Sequence, residues 1–188
     1  MCESADVVSP QALSEADRRV VAAWAAACAE RVLVLFEIEA PADDRPRDAI
    51  ARARAFAHGD LDAAGEIRRR FEAGRAAHAV TSPAAIAAAR AAAQASGVAH
   101  MGAHALGAAA YAAKAAGLAS PAVSTAVDDE ISWQVQHMNP QVRAALRKLP
   151  PIGEDSAGPL GSGLLASGTL GSVIRDIQAA IGATPIRR

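Results

Sequence analysis

The stretch VVAAWAAACAERVLVLF, residues 20–36, decides the fold class. Taken alone, VLVLF at residues 32–36 also fits a buried β-strand. However, it continues, without a Gly or Pro, an apolar stripe that recurs every three or four residues, which is the period of an amphipathic helix. The members of this stripe are Val21, Trp24, Cys28, Val32, Leu35 and Phe36. The stretch therefore predicts one long helix. No other segment shows a convincing two-residue alternation of β-branched residues, so the predicted class is all-α.

The starts of the other helices are marked by capping residues and prolines. Ser14 stands three residues before Asp17, which resembles a capping box. Elsewhere a capping residue directly precedes a proline, which suits the first helical position because it lacks an N–H group. These pairs are Ser82-Pro83, Ser120-Pro121 and Asn139-Pro140, with Arg45-Pro46 between Asp44 and Asp48 as a looser case. The signals predict about six helices, over residues 14–38, 46–58, 60–80, 83–116, 121–138 and 140–149, with glycines near residue 97 that mark close contacts or a break.

The predicted organisation is one helical domain followed by a segment of different composition. A flexible N-terminus is expected at residues 1–13, and the helical domain at 14–150. Residues 151–170 are rich in Gly, Ser and Pro and predict an extended segment. Residues 171–182 then predict a short amphipathic helix, before a tail at 183–188. This helix either docks on the domain or serves as a peptide for a partner.

Composition excludes several classes of function. The chain carries 19 basic and 20 acidic residues and a net charge of −1, so it has no overall field to hold nucleic acid or an anionic membrane. No apolar run approaches the roughly 20 residues that span a bilayer. The first ten residues lack the features of a signal peptide. The only cysteines, Cys2 and Cys28, argue against a disulfide framework. We expect a cytoplasmic protein without nucleic-acid or membrane partners.

A polar stripe lies in the alanine-rich stretch AHMGAHALGAAAYAAKAAG, residues 99–117. In a continuous helix, His100, His104, Tyr111 and Lys114 share one face. Two histidines four residues apart can bind one metal ion, but Met101 stands where the HExxH motif needs glutamate. A third ligand from Glu130 or His137 gives a set suited to zinc or another transition metal. The alternative is a pair of packing histidines that form hydrogen bonds across a helix interface.

Two further clusters are candidates for an interface with a protein partner. Asp43, Asp44 and Arg45 stand at a helix entry, where mixed charges also fit a solvated helix start. Asp128 and Asp129 precede Trp133, and an aromatic residue bordered by acids is typical of an interface anchor with a charged rim. The alternative for Trp133 is a place in the core.

Several catalytic signatures are missing from the sequence. It contains no GxxxxGK[ST], no GxSxG, no CxxC and no dinucleotide glycine fingerprint. Phosphoryl-transfer, hydrolase-elbow and dinucleotide chemistry are therefore unsupported.

Most of residues 15–180 resemble a known group of bacterial helical proteins. The resemblance is carried by WAAACAERVLVLFE, DDRPRDAIARARAFAHGD, AAAQASGVAHMGAHALGAAAYAAKA and LRKLPPIGEDSAGPLGSGLLASGTLGSVIRDIQ. The group consists of immunity proteins of polymorphic toxin systems, is similar to the fifth-type immunity family and is frequent in actinobacteria. The resemblance implies a cytoplasmic antidote that binds a cognate toxin and blocks it without catalysis. It transfers no contact residues. The near-neutral charge departs from the strongly acidic immunity proteins that mimic nucleic acid.

Two functions follow as hypotheses. In the first, the chain is an immunity protein that forms a one-to-one complex with its toxin. In the second, it is a helical metal- or small-molecule-binding protein, with the possibility of catalysis. The pocket of the second hypothesis would use His100, His104, Tyr111, Lys114, Glu130 and His137, with His100, His104 and His137 as metal ligands. The flat, alanine-rich helix faces also suggest a homodimer.

Overall fold

The structure is a computed structural model that describes residues 9–69 and 72–182. Within these residues the chain forms nine α-helices and one short 3-10 helix and contains no strand, which confirms the predicted all-α bundle. The helices are α1 (Glu15–Glu37), α2 (Arg45–His58), α3 (Ala63–Arg69), α4 (Glu72–Ala76), α5 (Pro83–Gly97), α6 (His104–Ala119), α7 (Ala126–Gln136), α8 (Pro140–Leu146) and α9 (Gly168–Gly182), with the 3-10 turn at Leu164–Ala166.

Three of the predicted helix starts are capped as the sequence indicates. The Ser14 hydroxyl accepts a hydrogen bond from the Asp17 N–H at 3.1 Å and donates to the Asp17 carboxylate at 2.7 Å. The Ser82 hydroxyl and the Asn139 side-chain oxygen each accept from the N–H three residues on, at 3.1 and 2.8 Å. These bonds satisfy N–H groups that have no partner inside the helix, and they begin α1, α5 and α8.

The predicted helix start at Ser120-Pro121 is wrong. Ser120 ends α6 instead, because its N–H donates back to the Ala116 carbonyl at 3.2 Å. The chain then needs residues 120–125 to reverse its direction, and α7 begins only at Ala126.

The helix predicted over residues 83–116 is interrupted between α5 and α6. The N-terminal segment enters this break, where the Gly102 and Ala103 N–H groups donate to the carbonyls of Ala12 and Gln11 at 2.9 and 3.0 Å. A Cβ on Gly102 would lie 2.4 Å from the Leu13 side chain, so the close approach requires glycine here. The helix predicted over residues 60–80 corresponds to α3 and α4, and residues 70–71 between them lie outside the described residues.

The central helix of the bundle is α6. Every residue from 105 to 113 is buried, and α1, α5, α7 and α9 pack around it. Because most of these residues are alanine, the neighbouring helices approach closely and the core gains little area per residue. The core thus depends on small side chains at the centre and on larger ones, such as Phe36 and Phe56, contributed by the surrounding helices.

The C-terminal segment packs onto this bundle. Helix α9 buries Leu170, Val173, Ile174, Ile177 and Ile181. The segment before α9 is held by Gln11. The fully buried Gln11 side chain donates to the Asp155 carbonyl at 2.9 Å and accepts from the Leu160 N–H at 2.8 Å. Of the two alternatives for the C-terminal helix, the structure therefore shows it docked.

Candidate functional site

One end of the bundle exposes large apolar side chains. Among the described residues, five large hydrophobic side chains are exposed, and four of them are Val34, Ile38, Leu118 and Val123. We call this set the apolar end. The fifth, Leu164, is 63 % exposed and belongs to the C-terminal segment.

Three contacts bring together the helix ends that carry these residues. The Glu39 carboxylate, next to Ile38, accepts hydrogen bonds from the Thr81 and Ser82 N–H groups, so α1 ends where α5 begins. Nearer the middle of α1, Arg31 forms an ion pair with Glu130 of α7 at 2.8 Å. A Cβ on Gly117 would meet Val127, which places the end of α6 beside the start of α7. The ends of α1 and α6 and the starts of α5 and α7 therefore share one end of the molecule.

The acidic residues predicted as interface candidates border this end. Asp128 and Asp129 are exposed in the first turn of α7. Asp43 and Asp44 precede α2, which an ion pair between Arg47 and Glu37 holds against the end of α1. The side-chain hydrogen bond from Arg45 lowers the pKa of Asp43, so this carboxylate is internally paired. Asp44 and Asp128 are exposed and have no ion pair within the described chain.

Trp133 is half-buried, and two polar side chains lie against its ring. The Arg31 guanidinium lies 4.0 Å from the ring centroid, and the His137 imidazole stacks on the indole with centroids 3.9 Å apart. The His137 ring also forms a hydrogen bond with the Trp133 carbonyl at 2.8 Å. Trp133 is thus partly occupied by contacts within the chain, and it presents a mixed aromatic and cationic surface.

Buried polar side chains of α7 connect this helix to α1 and α6. The Glu130 carboxylate is 5 % exposed, and its two oxygens share the hydrogen bond donated by the Arg31 Nε, at 3.0 and 2.8 Å. The fully buried Gln134 side chain donates to the Ala109 carbonyl at 3.1 Å. The Trp24 indole donates to the Gln134 carbonyl at 2.9 Å. Glu130 therefore serves as an ion-pair partner inside the fold.

The two histidines of the polar stripe lie at the break between α5 and α6. His100 is exposed in the turn, and His104 is the first residue of α6. The His104 Nδ1 lies 2.8 Å from the Gln94 side-chain oxygen. Burial lowers the pKa of His104 to about 4, and the charge of His100 lowers it further. His104 is therefore neutral near pH 7, and its Nδ1 donates a hydrogen bond to Gln94.

The structure does not gather the three proposed metal ligands. His137 stacks on Trp133, whereas His104 pairs with Gln94 of α5. Within residues 9–69 and 72–182, no group of three or more His, Cys, Asp or Glu side chains is arranged to hold a metal ion.

The other two residues of the proposed pocket do line a cavity. A groove of about 310 Å³ runs between facing sides of α5 and α6. Helix α6 contributes Tyr111, Lys114 and Leu118, and α5 contributes Pro83, Ile86, Ala87 and Arg90. We call this the α5–α6 groove. Its lining residues recur at three- and four-residue steps on each helix, as one face of a helix requires.

The sequence patterns do not single out three residues of the apolar end and the groove, namely Val34, Ile38 and Arg90. Val34 and Ile38 stand four residues apart and lie off the buried stripe of α1, which is the signal that marks them as an exposed apolar pair. Arg90 is a lone cation in the run PAAIAAARAAA, and the groove becomes visible only when α5 and α6 are paired.

The described helices include none with the length and apolar character needed to cross a membrane.

A family model described as "Imm-5 like putative immunity protein" matches residues 11–141. No curated protein and no solved structure matches the chain.

Proposed function

Since the chain belongs to the Imm-5 like family, we propose that it is a cytoplasmic antidote that binds a cognate bacterial toxin domain and neutralises it without catalysis. The observation that carries the proposal is the apolar end. Four of the five exposed large hydrophobic side chains of the described residues lie there. Clustered apolar exposure of this kind marks protein interaction sites.

The surroundings of the apolar end fit an interface. Asp44 and Asp128 stand at its border as exposed carboxylates, and a polar rim around an apolar centre is the usual organisation of a specific contact. We therefore keep Asp43, Asp44, Arg45, Asp128 and Asp129 in the proposed interface as rim residues. We place Trp133 at its margin, because Arg31 and His137 already contact the ring.

The proposed interface differs from an active site in its chemistry. The buried carboxylate of α7, Glu130, is paired with Arg31. Binding needs only a complementary surface, and a contact of about 800 Å² on each partner is typical of stable complexes.

The proposal is tested by growth rescue in a bacterial host. The protein encoded immediately upstream of this gene is induced alone or together with the chain. We expect the upstream product to stop growth and the chain to restore it. Because charges in an apolar contact remain desolvated and unpaired, the double variant Ile38→Asp/Leu118→Asp should lose the rescue.

The matched control is Leu164→Asp, which adds a charge at an exposed leucine outside the apolar end. It should rescue growth as well as the parent chain does. Equal rescue by the double variant would contradict the placement of the interface. An absence of rescue by the parent chain would contradict the proposed function itself.

A further inference from the structure

The α5–α6 groove contains three hydrogen-bond donor groups that have no acceptor among the described residues. Arg90 and Lys114 form no ion pair with any described residue, and the Arg90 guanidinium only approaches the Tyr111 ring, at 5.9 Å from its centroid. Tyr111 is 3 % exposed and makes no hydrogen bond within the described chain. Because Tyr111 lines the groove, its hydroxyl is available to a ligand there.

This combination of donors selects an anion. A guanidinium, an ammonium and a phenol group offer only N–H and O–H donors to a carboxylate, and no carboxylate of the described residues lines the groove. The remaining lining residues are apolar, among them Ile86 and Leu118, and they provide contacts for a short aliphatic stem. The groove therefore fits a carboxylate at the end of a hydrocarbon chain, which is the chemistry of an aspartate or glutamate side chain.

The position of the groove indicates which molecule supplies the carboxylate. Leu118 belongs both to the groove and to the apolar end, so the two surfaces are continuous. A protein that covers the apolar end would also cover the mouth of the groove. The exposed aspartates that border the apolar end have the opposite charge, and such a pattern fixes the orientation of a partner.

We infer that the α5–α6 groove receives an acidic side chain of the bound toxin, which is held by Arg90, Lys114 and the Tyr111 hydroxyl. This inference rests on the proposed function. It makes Arg90 and Lys114 determinants of specificity, since a toxin without a carboxylate at this point would leave two cations desolvated and unpaired.

The test measures by calorimetry the affinity of the chain for the purified product of the upstream gene. The double variant Arg90→Glu/Lys114→Glu should raise the Kd at least about 30-fold, because it replaces attraction by repulsion at a covered carboxylate. Tyr111→Phe removes only the hydroxyl and should raise the Kd about tenfold. Arg175→Glu reverses an exposed cation on α9 and should change the Kd less than about twofold.

The outcomes separate the groove from the proposed function. Circular dichroism first confirms that each variant keeps the helix content of the parent. If the parent binds the toxin and all three groove substitutions leave the Kd unchanged, the groove inference is overturned and the proposed function stands. If the parent does not bind, both are overturned.

A second measurement distinguishes the toxin from a free small carboxylate. The probe is 4-methylpentanoate, with 4-methylpentanamide as its neutral control. We expect the carboxylate, and not the amide, to compete with the toxin at millimolar concentration. Tight binding of 4-methylpentanoate without any effect on toxin affinity would overturn the inference in favour of a small-molecule site.

Discussion

His104 has a structural role, although its spacing from His100 is typical of a metal site. It stands four residues after His100, which is the spacing that lets two imidazoles share a metal ion. The structure instead pairs His104 with Gln94 and buries it, so that its pKa falls to about 4. The neutral ring then acts as a hydrogen-bond donor across the α5–α6 interface.

We predict that His104 makes the stability of the protein depend on pH. In the unfolded chain the pKa of His104 is near its ordinary value of 6.5, and in the folded protein burial lowers the pKa to about 4. Between these values the unfolded state binds more protons, so the free energy of unfolding falls as pH decreases from about 6.5 to about 4. A shift of this size corresponds to roughly 3 kcal/mol at full effect.

Urea unfolding at pH 7.5 and pH 4.5 checks this prediction. The variant His104→Gln should lose most of the pH dependence that the parent shows, whereas His58→Gln, at an exposed position on α2, should keep it. Identical pH dependence in the parent and in His104→Gln would show that the ring titrates normally in the folded protein.

At the scale of residues, the sequence predicts which side chains share one helix face, but not which side chains of other helices they contact. Tyr111 and Lys114 stand three residues apart on one unbroken helix, and both line the α5–α6 groove. Arg90, their neighbour across the groove, lies on another helix, and periodicity along one segment carries no information about pairing between segments. Glu130 was proposed as a metal ligand, and only the structure shows that Arg31 binds its carboxylate.

The break between α5 and α6 is the main feature at the scale of elements. The sequence marked it weakly by Gly97 and Gly102, since each glycine costs about 1 kcal/mol in a helix interior. What the sequence could not show is the reason for the break. Residues 11–13 pack into it and supply two carbonyl acceptors. A contact between segments about 90 residues apart leaves no local pattern.

We predict that Gly102→Ala weakens the protein through this contact. The added Cβ would lie 2.4 to 2.9 Å from three Leu13 side-chain atoms, so the N-terminal segment must shift. Overpacking of this kind typically lowers the free energy of unfolding by about 1–3 kcal/mol.

Chemical denaturation measures this effect, and Gly74→Ala provides the control. A Cβ at position 74 meets no atom within 4 Å, and the residue lies inside α4, so alanine should raise stability by up to about 1 kcal/mol. If Gly102→Ala were as stable as Gly74→Ala, the packing of Leu13 would not hold the break.

Helix α7 shows the limit of capping signals. Ser14, Ser82 and Asn139 begin helices as expected, because each is free to place its side chain over the first turn. Ser120 has the same local sequence, but its N–H is already used to end α6. A cap is therefore predictable from sequence only where the preceding element ends earlier.

At the scale of the whole molecule, the alanine content explains where apolar surface remains. The alanines of α5 and α6 are largely buried within the single chain, so the faces that suggested a homodimer are occupied by α1, α7 and α9. Four of the five exposed large hydrophobic side chains of the described residues lie at the apolar end, which stays uncovered. The homodimer stays a prediction, and a monomer in light scattering at micromolar concentration would contradict it.

The charge of the whole molecule also bears on the partner. With a net charge of −1, the chain cannot neutralise a basic toxin through its overall field. Recognition must then depend on local pattern, namely the aspartates at one border of the apolar end and Arg90 and Lys114 in the groove. We therefore expect affinity to depend on particular contacts and only modestly on salt.

Hydrogen exchange of the chain with and without the purified upstream toxin tests the central claim most directly, since it locates the contact on the unmodified protein. We predict that binding slows exchange at residues 34–45, 81–90 and 114–129, which surround the apolar end and the groove. Residues 164–182, with the exposed Leu164, should not change. Protection confined to residues 164–182, or no protection at the apolar end in a complex that does form, would contradict the account.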